Sequence, residues 1–266
     1  MEGGGAKLRL LAYNIQVGIP AARCRDYLLH LWQYLLPYSR RINNLHRIAR
    51  LISAFDMVGL LELDSGSLRS DFINYTEYLA QEAQFPHWFE KVNRQWGKVA
   101  SHSMGLLTRY RPTGFSRHNL PALVPGRGAL KVCFGSQDDP LVLVLVHLSL
   151  GRGARIAQME FLSGLIEGYR NVIIMGDFNC GCGSPEIKGL LQKANLRMPY
   201  SNLSTYPSWN PRRHLDHILV SPTIGIESVG VLNYPFSDHL PIAMEITVPE
   251  SVLLPQGSTF AKARAA

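Results

Sequence analysis

The sequence has few cysteines for its length. Four occur among 266 residues, which excludes a small fold held together by disulfides. Cys180 and Cys182 are separated by a single residue, and neither a second cysteine pair nor a nearby histidine completes a zinc site. We therefore expect the four cysteines to be reduced thiols in a reducing compartment.

Long apolar runs are also missing. No stretch reaches the roughly eighteen uninterrupted apolar residues that a membrane-spanning helix needs. The start of the chain, Met1–Gly5, is neither basic nor followed by a long apolar run, unlike a secretory signal. We expect a cytoplasmic protein without an integral membrane segment, and a peripheral position at the membrane stays open. Nothing in the sequence predicts the oligomeric state.

The composition is that of a globular protein. Hydrophobic residues make up 46% of the chain and charged residues 18%, so wholesale disorder is excluded. The formal net charge is +7, which favours a polyanionic partner such as nucleic acid, a phosphorylated small molecule or an anionic lipid headgroup. A surface charge that only keeps the protein soluble explains the excess equally well.

Short apolar segments alternate with amphipathic helices, and several strands also follow one another directly. Helical spacing of apolar residues occurs at 42–54, 71–83 and 154–168. The predicted strands are 8–14, 57–61, 88–92, 104–108, 112–118, 128–134, 141–147, 171–175, 215–220, 226–233 and 241–248. This order predicts mixed sheets with helices on their outer faces. We expect one domain over 1–248 and a flexible tail over 249–266.

Residues 20–40, called the insert below, stand apart from this pattern. Their apolar residues recur at the spacing of an amphipathic helix, and arginines flank them. An ordinary surface helix packed on the core would give the same pattern. The alternative is a lid or an interface-seeking element beside the active site.

Polar side chains of one chemical kind recur at the ends of the predicted strands. They are carboxylates, amides and imidazoles: Asn14, Glu62, His147, Asp177, Asn179, Asp216, His217, Asp238 and His239. In open α/β folds, ligand sites lie at such strand ends. Each motif alone is also common in turns and helix caps, so the prediction depends on their joint occurrence.

These residue types suit the hydrolysis of a phosphate ester. Mg²⁺ prefers oxygen ligands, which Glu62 and the aspartates supply. A metal offsets the anionic charge that repels a nucleophile, and an Asp or His can take a proton from water. Asn14 and Asn179, with an imidazolium at His147 or His239, can donate hydrogen bonds to phosphoryl oxygens. The motif G-x-S-x-G is missing, which argues against a serine hydrolase.

Taken together and in order, these motifs resemble the endonuclease/exonuclease/phosphatase superfamily, and within it a poorly characterised bacterial subgroup. The resemblance runs from residue 8 to about residue 248. The matching stretches are Leu11–Ile15, Val58–Asp64, Gly105–Arg109, Val146–Leu148, Met175–Asn179, Leu215–Ser221 and Phe236–Ile242. It implies a four-layer α/β sandwich, in which two mixed β-sheets pack face to face with helices on the outer faces.

The resemblance also implies a metal site. Glu62 would be the principal ligand of Mg²⁺ or Mn²⁺, with Asn14 and Asp238 close by. The family usually has a glutamine directly before this glutamate, and the present chain has Leu61 instead. That departure removes a supporting hydrogen bond and leaves the ligand itself in place.

The same resemblance implies the catalytic roles. Asp177 would orient or deprotonate the attacking water, and Asn179 would hold the phosphate. His239 would contact the scissile phosphate with Asp216 as its orienting partner, and His147 would contact the phosphate or the leaving oxygen. Abasic-site endonucleases have an acidic residue where this chain has Gln16, which argues against close membership of that branch.

Three arginines fit the bacterial subgroup. Arg127 lies in a Pro-Gly-Arg-Gly-Ala stretch, and Arg152 and Arg155 follow the histidine strand. They could bind an anionic substrate, and plain surface charge is the alternative.

We therefore predict a divalent-metal-dependent hydrolase of phosphate esters, either a phosphodiesterase or a phosphatase. The substrate would be a lipid headgroup, a small molecule or a nucleic acid. The first alternative is a Mg²⁺-dependent DNA nuclease. The second is a non-catalytic phosphate-binding module, which is disfavoured because the whole set of site residues is present.

Overall fold

The computed structural model describes residues 5–19, 40–123, 125–201 and 203–255. Its helices are α1 (Arg40–Ile52), α2 (Tyr75–Glu82), α3 (Arg152–Leu165) and α4 (Pro185–Lys193). Its strands are β1 (Lys7–Asn14), β2 (Met57–Asp64), β3 (His87–Trp96), β4 (Ala100–Thr108), β5 (Pro112–Asn119), β6 (Gly128–Phe134), β7 (Leu141–His147), β8 (Asn171–Asp177), β9 (Asp216–Val220), β10 (Gly225–Val231) and β11 (Ile242–Thr247).

Within the described residues the strands form two mixed sheets. The first has the order β10-β11-β1-β2-β4-β3, and the second has the order β5-β6-β7-β8-β9. Each sheet contains one parallel pair, β1 with β2 and β7 with β8, and the other neighbours are antiparallel. The parallel pairs place the carboxyl ends of two strands at the same edge of each sheet.

The alternation of side chains along a strand explains how the sheets pack. In β7, Leu141, Leu143 and Leu145 point into the core between the sheets, whereas the intervening valines point to the outer face. Both faces are apolar because each sheet is covered on both sides.

Helices cover the two outer faces. Helices α1 and α2 pack on the first sheet, and α3 and α4 pack on the second. The four-layer sandwich predicted from the sequence is thus confirmed.

The local structure differs from the predictions in two helices. The helix predicted over 71–83 begins only at Tyr75, because Asp71 and Phe72 have φ of 56° and 59° in the left-handed region. Asn74 caps it by accepting a hydrogen bond from the Glu77 amide at 3.1 Å. Helix α4 was not predicted from the sequence.

The insert and the predicted tail both extend beyond the described residues. The insert lies outside the described residues except for Arg40, where α1 begins. Residues 249–255, predicted as part of a flexible tail, lie against the sandwich: Val252 is buried in the inter-sheet core, and the Pro255 carbonyl accepts a hydrogen bond from the Arg111 amide at 3.1 Å. The tail beyond residue 255 lies outside the described part.

None of the helices in the described ranges has the length and apolar character that crossing a membrane requires. The thiols of Cys133, Cys180 and Cys182 are free.

Candidate active site

Three predicted site residues lie in one row across the second sheet. His147 pairs in register with Asp177 on the neighbouring parallel strand, and Asp177 pairs with Asp216 on the antiparallel strand beyond it. Because β7 and β8 end at this edge and β9 begins there, the three side chains share one end of the sandwich. His147 Nε2 lies 3.6 Å from Asp177 Oδ2.

The backbone around Asp177 is specialised. Gly176 has φ of +137°, and a Cβ at this position would lie 2.0 Å from the Val146 carbonyl oxygen, so only glycine fits. Asn179 has φ of 53°, and its amide donates a hydrogen bond to Asp177 Oδ1 at 2.9 Å. One N–H of the Asn179 side chain donates to the Leu148 carbonyl at 2.9 Å.

The first sheet contributes Asn14 and Glu62 from the ends of its parallel pair. The Asn14 side-chain amide donates to Glu62 Oε1 at 3.1 Å and approaches Asp177 Oδ2 at 3.4 Å, so it connects the two sheets. Glu62 has φ of 54° where the register of β2 against β4 shifts. Its side chain is 33% exposed, so it remains accessible to a ligand.

The loop before β11 delivers Asp238 and His239 to the same end. The Ser237 hydroxyl donates to the Asn14 carbonyl at 2.6 Å and accepts from the His239 amide at 3.0 Å. Gln16 Oε1 accepts from the Asp238 amide at 3.2 Å. The residue that departs from the abasic-site endonucleases therefore supports the site loop.

His239 and Asp216 form a buried pair. His239 Nδ1 lies 2.8 Å from Asp216 Oδ2, which also accepts a hydrogen bond from Thr205 Oγ1 at 2.5 Å. Burial opposes the charge on His239, but the charge and hydrogen bond of Asp216, together with Asp177 and Asp238, outweigh it and raise its pKa to about 10. The imidazole is therefore protonated at neutral pH.

Two other carboxyl groups have raised pKa values. Burial raises the pKa of Asp177 to about 7, and the negative charge of Asp216 adds to the effect. Burial also raises the pKa of Asp238 to about 7. The charge of His239 opposes this rise, and the charge of Glu62 adds to it by a smaller amount. Such a concentration of buried carboxylates suits a divalent cation, which would favour their charged forms.

Two further features of these side chains fit a hard cation: an unpaired carboxylate oxygen and the closeness of the ligand atoms. Asp216 Oδ1 is buried and accepts no hydrogen bond from any described residue. Ligand atoms of Asp177, Asp216 and His239 lie within 4.8 Å of one another. The oxygen donors predicted from the sequence, Glu62, Asn14 and Asp238, surround the same end of the sandwich.

His147 differs from His239 in its charge. Burial, and next the guanidinium of Arg127, holds the pKa of His147 well below its usual range. Arg127 Nη1 donates directly to Nε2 of the neutral imidazole. The cation that faces this part of the site is thus Arg127, and not the imidazolium at His147 that the sequence suggested.

The structure brings all eight predicted site residues together at one end of the sandwich. His217, the neighbour of Asp216, points the other way and contacts the Cys180 carbonyl at 2.8 Å. The roles of Thr205 and Gln16 were not predicted, because both act on site residues that are distant in sequence.

The sequence profile of the Endonuclease/Exonuclease/phosphatase family matches residues 11–239. The chain belongs to this family. No curated protein sequence matches it. Members of the family are hydrolases of phosphate esters and are generally dependent on a divalent metal.

Solved structures with the same fold cover nearly the whole chain. A family protein from Bacteroides thetaiotaomicron is 19% identical, with a TM-score of 0.68, and covers 92% of this chain and 99% of its own. A mannosyl-6-phosphatase from the same organism is 19% identical, with a TM-score of 0.64, and covers 90% of this chain and 99% of its own. The human Nocturnin catalytic domain with bound sulfate is 17% identical, with a TM-score of 0.66, and covers 91% of this chain and 93% of its own.

Proposed function

We propose that this protein hydrolyses a phosphate ester with an activated water molecule and a divalent metal, as a phosphodiesterase or phosphatase. The observation that supports this most is the meeting of Glu62, Asp177 and the His239–Asp216 pair, from both sheets, at one end of the sandwich. Carboxylates for a metal and a base therefore lie beside a protonated imidazole.

We assign Mg²⁺ or Mn²⁺ to Glu62, with Asn14 and Asp238 as further ligands. Glu62 is the most accessible of these carboxylates, and Asp216 already pairs with a protonated histidine. When bound, the metal would neutralise the charge on the phosphoryl oxygens and stabilise the charge that develops in the transition state.

Asp177 would serve as the general base. Its pKa of about 7 leaves a carboxylate that can accept a proton from water near neutral pH. The hydrogen bond from the Asn179 amide to Oδ1 fixes the carboxylate orientation and leaves Oδ2 directed towards the site. The second N–H of the Asn179 side chain can donate to the phosphate.

The cations of the site would bind the phosphoryl oxygens. His239 uses Nδ1 to contact Asp216, so its Nε2–H is available to a phosphate oxygen. Arg127 lies beside neutral His147, and the two can hold the phosphate or the leaving oxygen from the other side.

A panel of substrates tests the proposal. The purified protein with Mg²⁺ would be assayed on bis-p-nitrophenyl phosphate, inositol phosphates, phospholipids, plasmid DNA and an abasic oligonucleotide. We expect metal-dependent release of product from at least one phosphate ester. Nicking of plasmid DNA, with affinity that falls steeply with salt, would instead identify the nuclease alternative. Turnover of none of them would refute the proposal.

Two variants test the assigned roles. Asp177→Ala and His239→Ala should each reduce turnover at least about 100-fold, the scale of general acid–base catalysis. The circular dichroism spectrum should remain that of the wild type. Near-wild-type turnover in either folded variant would contradict the role assigned to the substituted residue.

A further inference from the structure

A large cleft opens beside the catalytic residues. Its volume is about 900 Å³, within the usual range for small-molecule sites, and Glu62 and His147 lie at its inner end. Three segments form its walls: 93–96 with 102–103 from the β3–β4 hairpin, the described part of the loop 121–127, and 149–157 at the start of α3.

Most of the wall is apolar and built from small or aliphatic residues. The loop contributes two prolines with Ala122 and Leu123, and the start of α3 contributes Leu150 followed by glycines and alanines. A Cβ added at Gly151 or Gly153 would meet no described atom within 4 Å. The helix therefore leaves space that the fold itself does not fill.

Large apolar side chains are exposed at this cleft. Trp96 is 51% exposed, Leu150 is 74% exposed and Leu123 is fully exposed. Single exposed apolar residues are ordinary, but several around one opening mark a site of contact with a ligand, a partner or a membrane. The indole of Trp96 is also suited to the boundary between water and lipid.

Positive charge accompanies the apolar wall. The Arg94 guanidinium lies 4.8 Å from the centre of the Trp96 ring, and Arg127 lies deeper, beside His147. An anionic group can therefore bind at the inner end and at the wall, while the space between them is apolar. The net charge of +7 would also attract the protein to an anionic membrane.

We propose that the substrate is an amphiphilic phosphodiester, a phospholipid, whose apolar part lies along this cleft and whose phosphate lies at Glu62 and Arg127. This inference depends on the proposed phosphoesterase function and extends it to a substrate class. Trp96, Leu123 and Leu150 would enter the surface of the lipid layer. Hydrolysis adds water across one P–O bond and gives a phosphate monoester and an alcohol, so no co-reactant is needed.

The same walls fit a nucleic acid poorly. A nucleic-acid strand requires several cations along its phosphates and aromatic rings for its bases. The described lining residues include only two arginines and one tryptophan, and most of the others are prolines, glycines, alanines and leucines.

A binding measurement that does not depend on turnover tests the inference. The double variant Leu123→Asp/Leu150→Asp and the control Leu253→Asp, which changes a leucine 68% exposed away from the cleft, would be sedimented with vesicles of phosphatidylcholine and phosphatidylglycerol. We expect the wild type and the control to bind. The double variant should bind at least about tenfold more weakly, the factor expected for one buried leucine.

Turnover provides the second measurement. The ratio of kcat/KM on vesicle phospholipid to kcat/KM on bis-p-nitrophenyl phosphate should fall at least about tenfold in the double variant and stay unchanged in Leu253→Asp. Vesicle binding equal to that of the wild type would overturn the inference, as would nicking of plasmid DNA without vesicle binding.

Two other outcomes separate the remaining possibilities. A lower Tm of the double variant without vesicles would show that the leucines pack on another segment of this chain, and it would overturn the lipid assignment. Vesicle binding by the wild type without turnover of any phosphate ester would refute the proposed function and with it the phospholipid substrate.

Discussion

His239 Nδ1 lies 2.8 Å from Asp216 Oδ2, inside a site from which water is largely excluded. The pair joins a loop of the first sheet to a strand of the second, so the geometry of the catalytic imidazole depends on how the two sheets pack. The pair also fixes the tautomer and the charge of His239, because Nδ1 donates to the carboxylate and Nε2–H faces the site.

Asp216→Asn removes the negative charge of this pair and keeps the shape of the side chain nearly unchanged. Without the carboxylate charge, burial lowers the pKa of His239, so turnover at pH 8 should fall at least about 100-fold and the alkaline limb of the pH–rate profile should move to lower pH. Thr205→Val, which removes the other hydrogen bond to Asp216 Oδ2, is the matched control and should change turnover much less. An unchanged alkaline limb in Asp216→Asn would contradict the assigned pairing.

Metal binding should depend on pH. Folding raises the pKa of Asp177 and Asp238 from 3.8 to about 7, and that of His239 from 6.5 to about 10. These three groups bind more protons in the folded state than in the unfolded state. Histidines with lowered pKa values, such as His147 and His217, act in the opposite direction only below about pH 7, so the metal-free protein should lose stability as pH rises from about 7 to about 10.

Mg²⁺ reverses this loss only when the carboxylates are charged. We expect Mg²⁺ to raise Tm clearly at pH 8 and little at pH 5, measured by differential scanning calorimetry. Glu62→Gln should abolish the increase at pH 8. Equal increases at both pH values, or an unchanged increase in Glu62→Gln, would argue against the proposed ligands.

Arg127→Ala should lower kcat/KM, because the variant lacks the proposed contact between Arg127 and the substrate phosphate. Loss of a charge-assisted contact corresponds to about 10- to 100-fold in kcat/KM, and the pKa of His147 should rise when the adjacent cation is removed. The control is Arg152→Ala. Arg152 is an exposed arginine at the start of α3, and its Nε lies 3.6 Å from Glu186 Oε2. Equal effects of the two variants on bis-p-nitrophenyl phosphate hydrolysis would mean that Arg127 acts only as part of the general surface charge.

Gly176→Ala should destabilise the fold at the catalytic strand. The added Cβ would meet the Val146 carbonyl, and φ of +137° disfavours any side chain, so the free energy of unfolding should fall by about 3 kcal/mol. Gly189→Ala in α4, where a Cβ would meet no described atom within 4 Å, should instead stabilise the protein by up to about 1 kcal/mol. Urea denaturation of both variants checks the difference.

Much of the fold, and many of the residues that make up the site, could be predicted from local sequence patterns. The buried strand β7 and the polar residues that end β1, β7 and β8 could be predicted, because a short apolar run indicates a strand covered on both faces and parallel strands end at the same edge. These rules require only neighbours in the sequence.

The properties that depend on distant contacts could not be predicted. The neutral state of His147 arises from its burial and from Arg127, twenty residues earlier, and the apolar cleft arises from three separate segments. Likewise, residues 249–255 have a composition typical of a loose tail, yet Val252 fills a place in the core that only the packed sheets create.

The most direct test of the central claim is the initial rate of bis-p-nitrophenyl phosphate hydrolysis in EDTA, before and after an excess of Mg²⁺ is added. We predict that the wild-type rate is abolished by the chelator and restored by Mg²⁺, and that Glu62→Gln, with its circular dichroism spectrum unchanged, shows no restoration. A full rate in EDTA, or full restoration in Glu62→Gln, would contradict a metal-dependent phosphoesterase centred on Glu62.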